Sequence, residues 1–433
     1  MTSNGWRPTA AHVRAVVGGA LLAIAAVLAR RPDLLVFASP FAIVAMWATV
    51  AKPSVAPTVR QTIGHAVVRE GEATTWHVAV DDSEGRVDHV AVALRVPPWV
   101  EQQPENGQVA TSLRDDGDER LAVVIRPIRW GRRRIGPAVV AASSAWGAFR
   151  YESVEFADER LLTALPQSSE FDASAPPVRS AGLVGVNRSP RQGNGTEFAS
   201  IRPFQPGDRL RRIHWPQSLR TGSLHVTSTW ADHDRHVVLV IDALNDVGES
   251  GGIDGRASSL DISMRAAGAI AEHYISVGDR VALVAIGARG VQRLPPATGR
   301  RHLRRLLEVL ATVESSGEFF DDGRMPRGIG NGALVVMLSA MVSPRALQRA
   351  VTIADRGLTV LVIDCLPADI IEKDPDDPYL AIAWRIRLLQ RESEIRHARE
   401  AGIPIVPWMG PGSLDAVLRD LHRHAGVRMA RRQ

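Results

Sequence analysis

Residues 236–242 read HVVLVID, and three later runs answer them: VALVAIG at 281–287, ALVVMLS at 333–339 and LTVLVID at 358–364. Each is an unbroken apolar run of strand length. None shows the polar alternation of a strand with one face in water, so each reads as a strand covered on both faces. Between them lie segments with helical spacing. Residues 258–277 place Met264, Ala267, Ile270, Ala271 and Tyr274 on one face, and helical patterns also run over 300–313, 344–355, 379–400 and 413–424. Strands that alternate with helices imply crossover connections, hence a parallel sheet with helices on both sides. Residues 236–433 are therefore expected to form an α/β domain, a doubly wound parallel sheet.

Just upstream, residues 193–226 read GNGTEFASIRPFQPGDRLRRIHWPQSLRTGSLHV. Pro203 and Pro206 each remove a backbone donor, and Pro206-Gly207-Asp208 is a tight-turn signal, so the segment is not one long helix. Five arginines (Arg202, Arg209, Arg211, Arg212 and Arg220) meet two acids, Glu197 and Asp208, and Phe198, Phe204 and Trp215 read as aromatic pins. Guanidinium forks can bond both carboxylates and carbonyls that lack a ladder partner. The expectation for 193–235 is an irregular, arginine-stapled loop that is a structural staple first and a contact surface second. The segment resembles the signature of the bacterial "domain of unknown function 58" family. The matching positions are Gly193, Gly195, Glu197, Phe198, Arg202, Phe204, Pro206, Gly207, Asp208, Arg212, Trp215, Arg220, Thr221 and Gly222. Two positions depart: His214 stands where the family carries an acid and Pro216 where it carries a lysine, so no role of that acid or lysine is transferred.

The region after the signature looks like a von Willebrand factor type A domain, which the family carries there. That resemblance implies a metal site with an Asp-x-Ser-x-Ser motif after the first strand, plus a threonine and an aspartate from later loops; oxygen ligands of this kind suit magnesium. In this chain the motif reads Asp242-Ala243-Leu244-Asn245-Asp246, Ala340 stands where the later aspartate is expected, and Thr298 is left as the threonine. The expectation is a degenerate site at Asp242, Asp246 and Thr298 that holds no metal, with Asp242 serving a structural role at a strand end. The cluster Asp232-His233-Asp234-His236 reads as a polar turn, and Cys365 as a small buried thiol. No phosphate-binding loop and no nucleophile elbow occurs, so neither a cofactor nor catalysis is expected.

Toward the amino terminus, Val13 to Ala29 and Leu34 to Ala51 are almost wholly apolar, with Arg14 the one charge inside them and Arg30-Arg31-Pro32-Asp33 between. Each is about long enough to cross a bilayer, which takes roughly 17–25 residues. A signal peptide is the rival reading of the first run, but the second follows at once where a secreted protein shows a polar start. Residues 1–54 are read as a hairpin of two transmembrane helices. Residues 55–165 carry short alternating runs (TTWHVAV, HVAVALRV, LAVVIRPI) broken by DDSEG, PENG and RDDGDE, the rhythm of an antiparallel β-sandwich-like domain. Within it Gly131, Gly136 and Pro137 resemble a strand pair of the same family, and Arg132, Arg133 and Arg134 read as a solvated strand edge. Residues 166–192, rich in Ser, Pro, Ala and Gly, read as a linker.

Of 52 basic residues only Lys52 and Lys373 are lysines, and 47 acids balance the arginines to a formal charge of +5. A self-paired surface follows more readily than a phosphate-binding one, so no nucleic-acid partner is expected. The single Cys365 excludes an internal disulfide framework and fits a reducing compartment. Together with the resemblance, this gives an expected multi-pass cell-membrane protein whose soluble part is cytoplasmic. The resemblance implies a protein partner, a MoxR-type AAA+ ATPase, and a role in assembling or remodelling other proteins. The alternatives are a metal-dependent hydrolase working from a strand-end pocket, or an arginine-rich nucleic-acid binder.

Overall fold

The computed structural model describes residues 5–113, 119–152, 159–167, 192–205, 208, 210–230, 236–315, 333–368 and 378–409. The chain divides into two compact units, Met1–Pro166 with Gly252–Asp254, and Gln167–Gly251 with Gly255–Gln433.

The first unit carries two long apolar helices, Ala10–Leu28 and Asp33–Ala51. The first begins where the Thr9 hydroxyl accepts the His12 amide at 3.3 Å, an ordinary N-cap. At 1.5 Å per residue, each helix of 19 residues is about 28 Å long, close to the hydrocarbon thickness of a bilayer. They meet through small residues: a Cβ at Gly19 would lie 3.0 Å from Phe41 Cβ, tighter than ordinary contact, so glycine lets the helices approach closely here. Beyond Gly19, Ala26, Ala38 and Ala48, their side chains are not buried.

The rest of this unit is β-structure. Trp6–Pro8, Phe149–Glu152, Ala138–Ser144, Val87–Leu94 and Gln108–Ser112 form one antiparallel sheet in that order. Thr58–Ile63, Thr74–Asp81, Glu119–Pro127 and Val100–Gln103 form another, and a three-stranded sheet joins Val67–Arg69, Arg160–Leu165 and Gly131–Ile135. Strict alternation of buried and half-buried residues along Thr74–Val80 shows why this sequence makes a strand with one inward face. Trp76, Val78, Leu121, Val123 and Ile125 from one main sheet and Val90, Val92, Leu94, Ala138 and Val140 from the other share a single apolar core. Two antiparallel sheets thus share one apolar core, and a segment ahead of residue 55 contributes to it. Trp6–Pro8, ahead of the helices, is an edge strand of the first sheet, and Trp6 lies in the core. Three residues flanked by a helix cap are too short to reveal a strand by periodicity.

The second unit contains a six-stranded sheet in the order Gly290–Ala297, Arg280–Gly287, His236–Asp242, Leu334–Ser339, Thr359–Asp364, Ile405–Pro407. All pairs are parallel except the edge pair formed by Gly290–Ala297. Leu334–Ser339 is buried at every position, as its unbroken apolar sequence requires. Ser259–Ser276 begins with a capping box, in which the Ser258 hydroxyl accepts the Asp261 amide and the Asp261 carboxylate accepts the Ser258 amide, both at 3.2 Å. Helices Arg300–Leu310, Pro344–Asp355 and Pro378–Glu400 complete the alternation. The mixed α/β class, with a sheet containing parallel strands, matches the sequence reading. The helix expected at 413–424 and most of the linker lie outside the described residues.

Trp76 is fully buried and its indole N–H has no hydrogen-bond partner among the described residues. Trp76→Ala is expected to cost about 3–5 kcal/mol by leaving a cavity. Trp76→Phe should cost less, because it also removes an unsatisfied donor. Thermal unfolding of the two variants in detergent checks the order.

Candidate functional site

In an open sheet of this kind, ligands collect outside the carboxyl ends of the strands, at the point where the strand order reverses. That point lies between His236–Asp242 and Leu334–Ser339. It is closed from within. The Ser339 hydroxyl donates to Asp242 Oδ2 at 2.7 Å and accepts the Met341 amide at 2.9 Å, while the Leu244 amide donates to Asp242 Oδ1 at 3.4 Å. Two arginines from Pro378–Glu400 reach over the neighbouring loop. Arg391 Nε donates to the Ala340 carbonyl at 2.9 Å and its Nη2 pairs with the Asp364 carboxylate, and Arg387 Nε donates to the Val342 carbonyl at 2.6 Å. Arg387 is held in turn by a two-pronged pair with Glu394 at 2.9 and 2.8 Å. A guanidinium therefore bonds the backbone of Ala340, the position where the resembled family carries an acid.

The other expected metal-site residues do not converge there. Asp246 Oδ1 accepts the Leu260 amide at 3.0 Å and the Ser259 hydroxyl at 3.4 Å, which ties it to the start of the following helix. Thr298 is exposed and follows Ala297, which pairs with Val281 at the amino end of its strand, whereas Asp242 pairs with Ile286 at the carboxyl end. About 16 Å of strand separates the two levels at roughly 3.3 Å per residue. The structure thus does not bring Thr298 to Asp242. The antiparallel turn of Gly290–Ala297 reverses its direction, which the sequence pattern does not disclose. Among the described residues no group of three or more His, Cys, Asp or Glu is placed to hold a metal. Cys365 is buried with its Sγ 3.6 Å from the Ile363 carbonyl, and burial pushes its thiol up to about 12, so it is no nucleophile at neutral pH. Asp232, His233 and Asp234, and the side chain of His236, lie outside the described residues.

The signature is more regular than an irregular loop. Gln192–Pro203 pairs with His225–Trp230 as an antiparallel ribbon, with register shifts between Gly193 and Phe198 and again before Ser200. A 3₁₀ turn at Leu210–Arg212 and a short helix, Trp215–Thr221, lie between the two strands. Arg202 grips Asp208 with both terminal nitrogens, at 2.8 and 2.6 Å, and the Gln205 amide donates to the same carboxylate at 2.9 Å. The bond to Arg202, then that to the Gln205 amide, hold the Asp208 carboxyl below the ordinary carboxylate range, and Arg202 is correspondingly raised. One expected staple is thus present. The positions of Pro206, Gly207 and Arg209 and the side chains of Gly193 through Phe198, Glu197 included, lie outside the described residues.

His214, at the departure from the family pattern, caps the helix: its Nδ1 accepts the Gln217 amide at 3.2 Å. Pro216 sits in the first turn, where its missing N–H costs nothing. Gly222 ends the helix in a left-handed conformation at φ 68°, which explains the glycine. The buried Ser218 hydroxyl accepts the His225 amide at 2.9 Å and fastens helix to strand. Trp215 is not a core pin. It is 60% exposed and Leu219, one turn on, is 81% exposed; Leu210, Leu224 and the side chain of Arg220 also face out. Phe204 is half-buried, as is Arg212, which lies near enough to Asp208 to help hold its carboxyl down. Ser218, Arg387 and Arg391 are not singled out by the sequence reading, which points to Asp242, Asp364 and the loop after Ser339. An Arg-x-x-x-Arg spacing on one helical face was the available signal for the two arginines.

Residues 200–374, less than half of the chain, match the family described as "Protein of unknown function DUF58". Uncharacterized proteins of Mycobacterium bovis and Mycobacterium tuberculosis are 31% identical to it over 232 residues, 53% of this chain and 61% of theirs. The chain thus spans about three-fifths of the length of the curated relatives it matches. Among solved structures, similarity was found to a chain in the complex of zinc 2-glycoprotein and prolactin inducible protein from human seminal plasma. The identity is 12%, with 26% of this chain and 99% of that one covered, at a TM-score of 0.19. A type II cohesin module of the ScaA scaffoldin of Acetivibrio cellulolyticus is 8% identical over 29% of this chain and 98% of the module, with a TM-score of 0.19. Scores this low carry no argument.

Arg391→Ala is expected to leave the mostly buried Asp364 carboxylate without its counter-charge, at a cost of about 3 kcal/mol. Arg391→Lys should recover part of it, because charge returns without the planar fork. Thermal melts read both. For the signature, Asp208→Asn should speed hydrogen exchange at the Gln205 amide relative to wild type. Because the folded carboxyl is depressed, its stabilising effect is complete above the unfolded value of about 3.9 and is lost as pH falls through the folded one. The difference between variant and wild type should therefore shrink below about pH 4.

Proposed function

We propose that the protein is a membrane-anchored interaction protein, in which the two N-terminal helices form a transmembrane hairpin and the soluble units face the cytoplasm. The second unit acts as a von Willebrand factor type A-like module. Its strand order, with an antiparallel strand at one edge, supports that reading. The partner is a MoxR-type AAA+ ATPase, and the activity is the assembly or remodelling of other proteins. Recognition, not catalysis, is the work of the signature.

The observation that carries this reading is the contrast inside the signature. Its backbone is fixed by the Arg202–Asp208 fork, the His214 cap and the Ser218 bonds, yet it turns large apolar side chains outward. Trp215 and Leu219 are spaced i, i+4 and so share one face of the helix. A rigid element that presents an exposed tryptophan and leucine has the composition of an interface anchor, because little ordering entropy remains to be lost on binding. The strand-end carboxylates are engaged by Arg391 and Ser339. The surface groove of about 470 Å³ between Pro344–Asp355 and Pro378–Glu400 is lined by Leu347, Val351 and Ala398 with Gln348, Glu394 and His397, away from those carboxylates. These features favour a binding module over a metal-dependent hydrolase.

Crosslinking in native membranes followed by purification should capture an AAA+ ATPase with the wild-type chain. Trp215→Ala combined with Leu219→Ser should abolish that capture while the melting temperature hardly moves. Undiminished capture by the double variant would remove the signature helix from the interface, and absence of any AAA+ ATPase from the wild-type sample would remove the partner.

A further inference from the structure

The turn Ala145–Ala148 links the strands Ala138–Ser144 and Phe149–Glu152, with Ala145 and Ala148 buried. Ala145, Trp146 and Gly147 all have left-handed backbones, with φ of 53°, 56° and 79°. Two of these are not glycine, and such a conformation is costly for residues with a Cβ. What this backbone presents is the Trp146 side chain, 78% exposed. The turn is held in that shape. The Trp146 amide donates to Asp88 Oδ2 at 2.7 Å, and the Thr9 hydroxyl donates to the carbonyl of Gly147 at 2.8 Å.

The level at which this ring sits follows from its neighbour. Trp146 and Trp47 lie with ring centroids 4.4 Å apart. Trp47 is in the last full turn of the helix that ends at Ala51, about 6 Å inside that end at 1.5 Å per residue. An indole packed against it from outside the helix shares its depth. Beside them, Lys52 lies 5.4 Å from the Phe149 ring centroid and His12 packs on the same ring at 5.1 Å, so aromatic bodies and cationic or polar tips gather at one level. Tryptophan is favoured at that level of a bilayer, because its ring is apolar and its N–H is polar.

We infer that the Ala145–Ala148 turn is a wedge of the β-unit inserted into the headgroup region of a phospholipid bilayer, with Trp146 as its lipid contact. This rests on the membrane hairpin proposed above. The occupant is lipid because the exposed indole is continuous with the two bare apolar helices, and the same strained turn is fastened to the start of the first and packed against Trp47 near the end of the second.

Fluorophores attached to single cysteines in the full chain, in a Cys365→Ala background reconstituted into phosphatidylcholine vesicles, test it. Three sites are labelled: Trp146→Cys, Ala20→Cys in the first helix, and Glu105→Cys on an exposed turn at the opposite end of the sheet. Lipids carry a nitroxide either near the headgroup or deep in the chain. The 146 probe should lose most fluorescence to the shallow nitroxide, the 20 probe to the deep one, and the 105 probe to neither. Quenching at 20 but not at 146, or stronger quenching of 146 by the deep nitroxide than by the shallow one, would overturn the wedge and leave the hairpin standing. Absence of quenching at all three sites would overturn the hairpin and the wedge with it. Should Trp146→Cys fold poorly, the difference in intrinsic fluorescence quenching between wild type and Trp146→Phe gives the same reading.

Discussion

A parallel sheet buried on both faces gathers its strand-end carboxylates at one edge, and a carboxylate withdrawn from water must find a partner or lose its charge. In this chain the partner is supplied from within. Arg391 reaches Asp364 and the Ala340 carbonyl, Arg387 reaches the Val342 carbonyl, and Ser339 satisfies Asp242. The loop they hold contains Met341, a buried residue with a left-handed backbone at φ 52°, a conformation that a side chain tolerates only where its surroundings enforce it. Helix Pro378–Glu400 thus does more than cover the sheet. Its arginines fix the loop that follows the strand Leu334–Ser339.

The signature follows the opposite logic. Arg202 and Asp208 face each other, while Leu210, Trp215, Leu219 and Leu224 face out. A guanidinium gripped by a carboxylate at two points is a stiff joint, and the ribbon and short helix around it need no apolar core of their own. Arg202, Arg387 and Arg391 all serve internal joints of this kind.

The four apolar strands of the sheet were legible from sequence because a strand buried on both faces has no reason to contain polar residues, and the helices between them because their faces repeat. The two N-terminal helices were legible by length and composition. What was not legible depended on direction or on distant neighbours. The reversal of Gly290–Ala297, which carries Thr298 to the wrong end of the sheet, changes no residue type. Trp6–Pro8 is a strand only because Phe149–Glu152 lies beside it. The signature read as a loop because its prolines and tight-turn residues dominate the pattern, and the one alternation, with Val226 and Ser228 buried, is too short to show a period. Trp215 read as a pin because an aromatic among charges is ordinarily buried, and only the placement of the short helix turns it outward.

The clamp at the foot of the two apolar helices bears on how the chain is made. Thr9 bonds Gly147 across 138 residues of sequence, and Trp6 pairs with Tyr151. Neither contact can form until synthesis has passed Glu152, long after both apolar helices have left the ribosome. Both helices are therefore complete before the sheet that grips them can close. Closing the edge strand is then a late event in synthesis, since its partner Phe149–Glu152 is separated from the helices by about a hundred residues of chain.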